Sequence, residues 1–168
     1  MSTFKKCILS FSLVLLSTSL MAQKSKKLIG GNIVFGLPNG DFKNSYKSAT
    51  GVEGSAGIGI SKVYFLGTVG YTSYKPVSGN LYGKITIIPL KAGLRIYATK
   101  HLFLAGNAGY GFLKDEVMES REARFVYDAG VGFHFLLGQL SVHYDAWKRK
   151  NNPGTSATVQ LKLGLALR

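Results

Sequence analysis

The 168 residues are enough for one domain of ordinary size and leave no room for a second. With 46% hydrophobic and 17% charged residues the chain is too apolar for wholesale disorder, and 21 glycines spread through apolar runs argue against helices, where each costs roughly 1 kcal/mol. Lysine and arginine outnumber aspartate and glutamate 21 to 8, a formal charge of +13.

Residues 1–22 have the character of a cleaved targeting segment. Lys5 and Lys6 form a positive n-region, Cys7 to Leu20 is apolar and uncharged, and Met21-Ala22 precedes Gln23 as a small residue precedes a cleavage site. The apolar stretch of about 14 residues is shorter than the ~20 a spanning helix needs, so a signal peptide is expected instead of an anchor. Cys7 opens the apolar stretch instead of following it, which excludes a lipoprotein signal. Cleavage would remove the only cysteine and with it any disulfide, thiol nucleophile or cysteine metal site. It would leave 19 basic and 8 acidic residues, or +11. Export makes nucleic acid a poor partner. The charge suits the phosphates of anionic surface lipid, or serves as solubilising lysine in loops.

Beyond Gln23 no run of 18 apolar residues occurs, which excludes helical membrane spans. Period-two alternation recurs instead, over eight segments at about 28–37, 51–60, 63–74, 85–98, 101–112, 124–136, 139–147 and 156–167. In the sixth, Phe125, Tyr127, Ala129, Val131, Phe133 and Phe135 share one face. In the last, Ala157, Val159, Leu161, Leu163, Leu165 and Leu167 alternate with Thr158, Gln160, Lys162, Gly164 and Ala166. Short links near Ser61-Lys62, Thr99-Lys100 and Leu137-Gly138 alternate with longer ones at 38–50, 75–84, 113–123 and 148–155. That is the connectivity of an up-and-down membrane barrel with short turns at one end and long loops at the other. Ten residues at ~3.3 Å each, tilted near 40°, rise roughly 25 Å, the height of such a barrel's apolar band. The fold expected is all-β: an eight-stranded antiparallel up-and-down transmembrane β-barrel over residues 23–168.

The alternation assigns faces. Inward positions include Asn32, Glu53, Lys91, Arg95, Asn107, Asp128, His134, His143, Asp145, Gln160 and Lys162, of mixed charge. An eight-strand bore is just wide enough for side chains to fill, so these read as a paired polar core; a channel lined by them is the sharper alternative. Phe65, Tyr71, Tyr110, Phe112, Phe125, Tyr127, Phe133 and Phe135 fall on the outward face near strand ends, where rings suit the headgroup zones of a bilayer. The rival is a soluble lipocalin-like barrel with every face inverted and one small ligand inside.

On these patterns, the leader ending Met21-Ala22-Gln23 and the first loop's Leu37-Pro38-Asn39-Gly40-Asp41-Phe42, the stretch Lys27 to Arg168 resembles the OmpA-type small barrels and porin-like β-barrel domains of Gram-negative outer membranes. The resemblance rests on pattern and carries no sharp motif. It implies an outer-membrane location, with membrane lipid including lipopolysaccharide and the barrel assembly machinery as partners, and no cofactor.

Few residues suggest chemistry. Ser141, His143 and Asp145 share a strand face and are the right types for acyl transfer, which some outer-membrane barrels perform on lipid A. Alternate side chains on a strand stand roughly 6.5–7 Å apart, too far for a direct Ser–His hydrogen bond. Asp115, Glu116, Glu119 and Glu122 lack Ca²⁺-loop spacing and have Arg121 and Arg124 beside them, and His101, His134 and His143 lack metal-ligand spacing. Glycine pairs inside strands precede no helix, which excludes a phosphate-binding loop. A non-enzymatic structural or surface-interaction role follows, with no metal, and with Lys43, Tyr46, Lys47, Lys75, Tyr82, Lys148, Arg149 and Lys150 on the long loops as binding candidates for an unidentified surface ligand.

Overall fold

The computed structural model describes residues 25–78, 83–115, 121–148 and 155–168. Strand β1 (Lys26–Asn39) runs through one 3-10 turn, η1 (Gly40–Asn44), into β2 (Tyr46–Ile60). There follow β3 (Val63–Pro76), β4 (Ile85–Tyr97), β5 (Leu102–Asp115), β6 (Arg121–Phe135), β7 (Gly138–Lys148) and β8 (Thr155–Leu167). Each strand pairs antiparallel with the next, and β1 pairs with β8 from Ile29↔Leu167 to Asn39↔Ala157, so the eight strands close into a barrel.

Several strands outrun the apolar alternation. β2 begins at Tyr46 and β5 ends at Asp115. Ladder hydrogen bonds join backbone to backbone and need no apolar side chain, so the sheet continues past the greasy band into what the sequence alone marks as loop. Asn39 accepts a hydrogen bond from the Gly40 N–H at 2.8 Å, and Gly40 takes φ 59, a left-handed turn that favours glycine. At the opposite end Ser61 (φ 56) and Leu136 (φ 50) reverse the chain within two-residue turns.

The faces divide as the alternation predicts. Ile33, Val52, Val69, Leu90, Leu104, Leu161 and Leu163 point out and are exposed, whereas Thr68, Lys91, Asp128, Gln160 and Lys162 are buried inside. The eight rings expected outside are there: Tyr71, Tyr110, Phe112, Phe125 and Tyr127 towards the loop end, Phe65, Phe133 and Phe135 towards the short-turn end. So wide an apolar exterior over a polar interior suits hydrocarbon and is the reverse of a soluble lipocalin-like barrel.

Filling the bore requires large side chains to face small ones. Gly59 pairs with Tyr64 and Gly132 with Phe103. A Cβ on Gly59 would lie 2.4 Å from the Tyr64 ring, and one on Gly132 would lie 2.3 Å from the Phe103 ring. Pro89 interrupts the β3–β4 ladder, which breaks between Val69↔Leu90 and Thr72↔Ile87 because proline has no N–H to donate.

The inward and outward glycines make opposite predictions. Gly132→Ala forces the Phe103 ring aside and is expected to cost about 1–3 kcal/mol. A Cβ on outward Gly54 meets nothing within 4 Å, so Gly54→Ala is expected to stay within about 0.5 kcal/mol. Urea unfolding of the two variants in lipid vesicles measures the difference.

Candidate functional site

The lumen is built in layers. Mid-height, Lys91 on β4 reaches three carboxylates: Asp128 Oδ2 at 2.5 Å, Asp145 Oδ2 at 3.2 Å and Glu53 Oε2 at 3.8 Å. Lys162 on β8 donates to Glu53 Oε2 at 2.7 Å. Asp128 Oδ1 accepts from Asn107 Nδ2 and from His143 Nδ1, each at 2.8 Å, which makes Nδ1 the protonated nitrogen of that ring. Towards the short turns, Arg95 Nη1 donates to Gln139 Oε1 at 2.9 Å, and Gln139 Nε2 donates to Asn32 Oδ1 at 2.7 Å. Arg95 also lies 4.3 Å from the centre of the Phe103 ring. His134 Nε2 meets the Ala166 carbonyl at 3.1 Å.

Among the described charged lumen residues Lys91 and Lys162 face Glu53, Asp128 and Asp145, while Arg95 is held by the Gln139 amide and the Phe103 ring. Of the eleven inward positions read from the sequence, Gln160 is also buried there. Single-strand alternation indicated the face but not the partners, since Lys162 and Glu53 are 109 residues apart. It also passed over Gln139, whose spacing with Ser141 and His143 puts all three on one face and into the lumen.

Both ends of this polar layer are closed by apolar side chains. At the loop end Phe42 from η1 packs on Tyr46, Tyr74 and Trp147, with ring centres 4.7, 5.4 and 5.0 Å away, above Ile87 and Val126. At the short-turn end Leu28, Tyr64, Leu66, Tyr97 and Phe103 form the second layer, with Tyr97 5.6 Å from Tyr64 and 5.5 Å from Phe103. Most of these ring pairs are edge-to-face or tilted, the favoured arrangements for aromatic quadrupoles. The void beside Lys91 and Asp145 measures about 10 Å³, at most room for one water.

One expectation changes. Tyr46, read as a loop residue available for binding, is only 4% exposed and belongs to the aromatic layer, where its hydroxyl donates to the Gly83 carbonyl at 3.3 Å. The reason is that β2 starts at Tyr46 and its inward register turns the ring into the mouth. Ser141, His143 and Asp145 do share the lumen face, but His143 is bonded to Asp128 and Asp145 to Lys91, so no nucleophile–base–acid chain is assembled. Lys43, Lys47, Lys75 and Lys148 are exposed around the loop end. Tyr82, Arg149 and Lys150 lie outside the described residues, as do Glu116 and Glu119. Arg124 pairs with Glu122. Among the described residues no group of His, Cys, Asp and Glu is arranged to hold a metal ion.

Replacing Lys91 with Met leaves three buried carboxylates without their shared cation. The loss is expected to reach about 3–5 kcal/mol, the cost of stripping one partner from a buried ionic cluster. Trp147, the single tryptophan, sits in the loop-end layer and reports the unfolding by fluorescence. Lys43→Met, at an exposed site, is the control expected to unfold as the parent does.

No protein-family model and no curated protein sequence matches the chain. Solved structures do match. The N-terminal β-barrel domain of Pseudomonas aeruginosa OprF superposes with a TM-score of 0.60 at 13% identity, covering 86% of this chain and 100% of that one. Neisserial surface protein A gives 0.55 at 14%, covering 86% and 99%. Ail, the attachment invasion locus protein of Yersinia pestis, solved in complex with the heparin analogue sucrose octasulfate, gives 0.50 at 18%, covering 85% and 97%. At such identities the likeness is one of architecture: the chain has the fold of the small eight-stranded outer-membrane barrels.

Proposed function

We propose that this protein is a non-enzymatic outer-membrane barrel that acts at the cell surface through its long loops, with the barrel as anchor. The observation that carries the reading is the closed lumen. Lys91 and Lys162 pair with its three carboxylates and an apolar layer covers each end, so among the described residues the interior presents a packed polar core and not a lined path. What faces outward is the loop end, where Lys43, Lys47, Lys75 and Lys148 are exposed. Exposed lysines around one rim suit an anionic surface ligand such as a sulfated or phosphorylated glycan, including lipopolysaccharide. The heparin analogue bound to the similarly folded Ail makes a sulfated sugar the sensible first probe.

Two measurements test this reading. In planar bilayers the purified protein is expected to give no unitary conductance, while Phe42→Ala together with Trp147→Ala thins the loop-end layer and is the variant in which leak would first appear. Steady channel openings from the parent protein would replace the anchor reading with a porin-like one. On immobilised heparin, changing Lys43, Lys47, Lys75 and Lys148 to Gln is expected to weaken retention of the nanodisc-embedded barrel by at least about tenfold, each exposed charge contributing a few tenths of a kcal/mol to about 1 kcal/mol. Retention independent of those lysines would remove the proposed surface.

A further inference from the structure

The opposite mouth carries a different charge pattern. Lys26, Lys27, Lys62, Lys100 and Arg168 line a cup of about 690 Å³ floored by the Tyr64 and Tyr97 rings, with Ser61 and Thr99 at its edge. Among the described residues the carboxylates lie elsewhere: Glu53, Asp128 and Asp145 are held in the lumen layer, and Asp41, Asp115 and Glu122 are on the elements of the loop end. Among the described residues, none of the five cations at the cup pairs with a carboxylate side chain.

The cup is partly built in advance. The Arg168 guanidinium lies 4.4 Å from the centre of the Tyr97 ring, and its Nη2 donates to the Lys100 carbonyl at 2.7 Å. That stacking and that single bond fix the planar fork while leaving it other N–H donors. Lys62 Nζ donates to the Ala98 carbonyl at 3.3 Å, and the Tyr97 N–H to the Lys62 carbonyl at 2.8 Å, tying the turn between β2 and β3 to the end of β4. A rigid Arg fork among like-charged lysines is the arrangement that binds an oxyanion with charge-assisted hydrogen bonds and relieves the mutual repulsion of the cations.

We propose that this cup is a binding site for an anionic phosphate group. It goes beyond the surface-binding reading, which concerns the other end of the barrel. The cup opens at the barrel's mouth, so the phosphate belongs either to a soluble phosphorylated molecule entering along the barrel axis or to a phospholipid headgroup reaching over the rim. Its chemistry is the same in both cases.

The test is backbone-amide NMR of the isotope-labelled full chain in phosphatidylcholine nanodiscs. Inorganic pyrophosphate is titrated in one arm, and phosphatidylglycerol replaces part of the lipid in the other. Saturable shifts at Lys62, Thr99, Lys100 and Arg168 with pyrophosphate assign a soluble source. The same shifts with phosphatidylglycerol alone assign a lipid headgroup. Lys62→Gln with Lys100→Gln and Arg168→Gln is expected to weaken either response by at least about tenfold, and Arg168→Lys, which keeps the charge but loses the fork, to weaken it less. If the triple variant fails to form a heat-modifiable barrel, Arg168→Lys carries the comparison. No shifts in either arm, shifts matched by sodium chloride at equal ionic strength, or shifts indifferent to all these variants would overturn the proposal. The loop variant at Lys43, Lys47, Lys75 and Lys148 is expected to titrate as the parent does, so failure at the loop end and failure at this mouth read out separately.

Discussion

An eight-stranded sheet closed on itself encloses a bore that side chains alone can fill, and its outer wall is committed to hydrocarbon. A carboxylate turned inward is then stabilised by cations and donors within that bore. Lys91 resolves the largest part of the problem. Glu53, Asp128 and Asp145 come from β2, β6 and β7, and one ammonium on β4 reaches all of them. Lys162 balances Glu53 from β8, and His143 and Asn107 take up the remaining oxygen of Asp128. Six strands are thereby joined across the interior as well as through their edges.

The apolar layers act on that network by keeping water away from it. Coulomb attraction strengthens as the surroundings become less polarisable, and so does the penalty for an unmatched charge. Phe42, Tyr46, Tyr74 and Trp147 at one end, with Tyr64, Tyr97 and Phe103 at the other, cover the polar layer with apolar side chains. The glycines opposite the largest of these rings are part of the same arrangement, since a ring and a Cβ cannot occupy one cross-section together.

Much of the architecture is legible in the residues because alternation with period two is a local property. Leu161 and Lys162 declare opposite faces without reference to any other strand. Short and long connections then order the strands around the barrel. What is not legible is depth and partnership. Tyr46 and Phe42 read as loop residues because the apolar alternation stops before them, yet the backbone ladder carries Tyr46 into the mouth and η1 turns Phe42 onto it. Tyr64 and Tyr97 lie on inward positions that alternation marks, but nothing local says they form a layer across the bore. Ser141, His143 and Asp145 show the same limit: alternation puts them on one inward face and spacing argues against a triad, but neither names the cross-barrel neighbours that bind His143 and Asp145.

The pairing of β1 with β8 joins residues 118 to 138 positions apart along the chain, from Asn39↔Ala157 to Ile29↔Leu167. The seam that completes the barrel is thus the costliest strand pairing in loop entropy. Until it forms, the edges of β1 and β8 expose unpaired N–H and C=O groups that hydrocarbon cannot satisfy. Closing the seam therefore does more than join two strands: it removes the last unpaired backbone edges from a wall whose outer face is apolar.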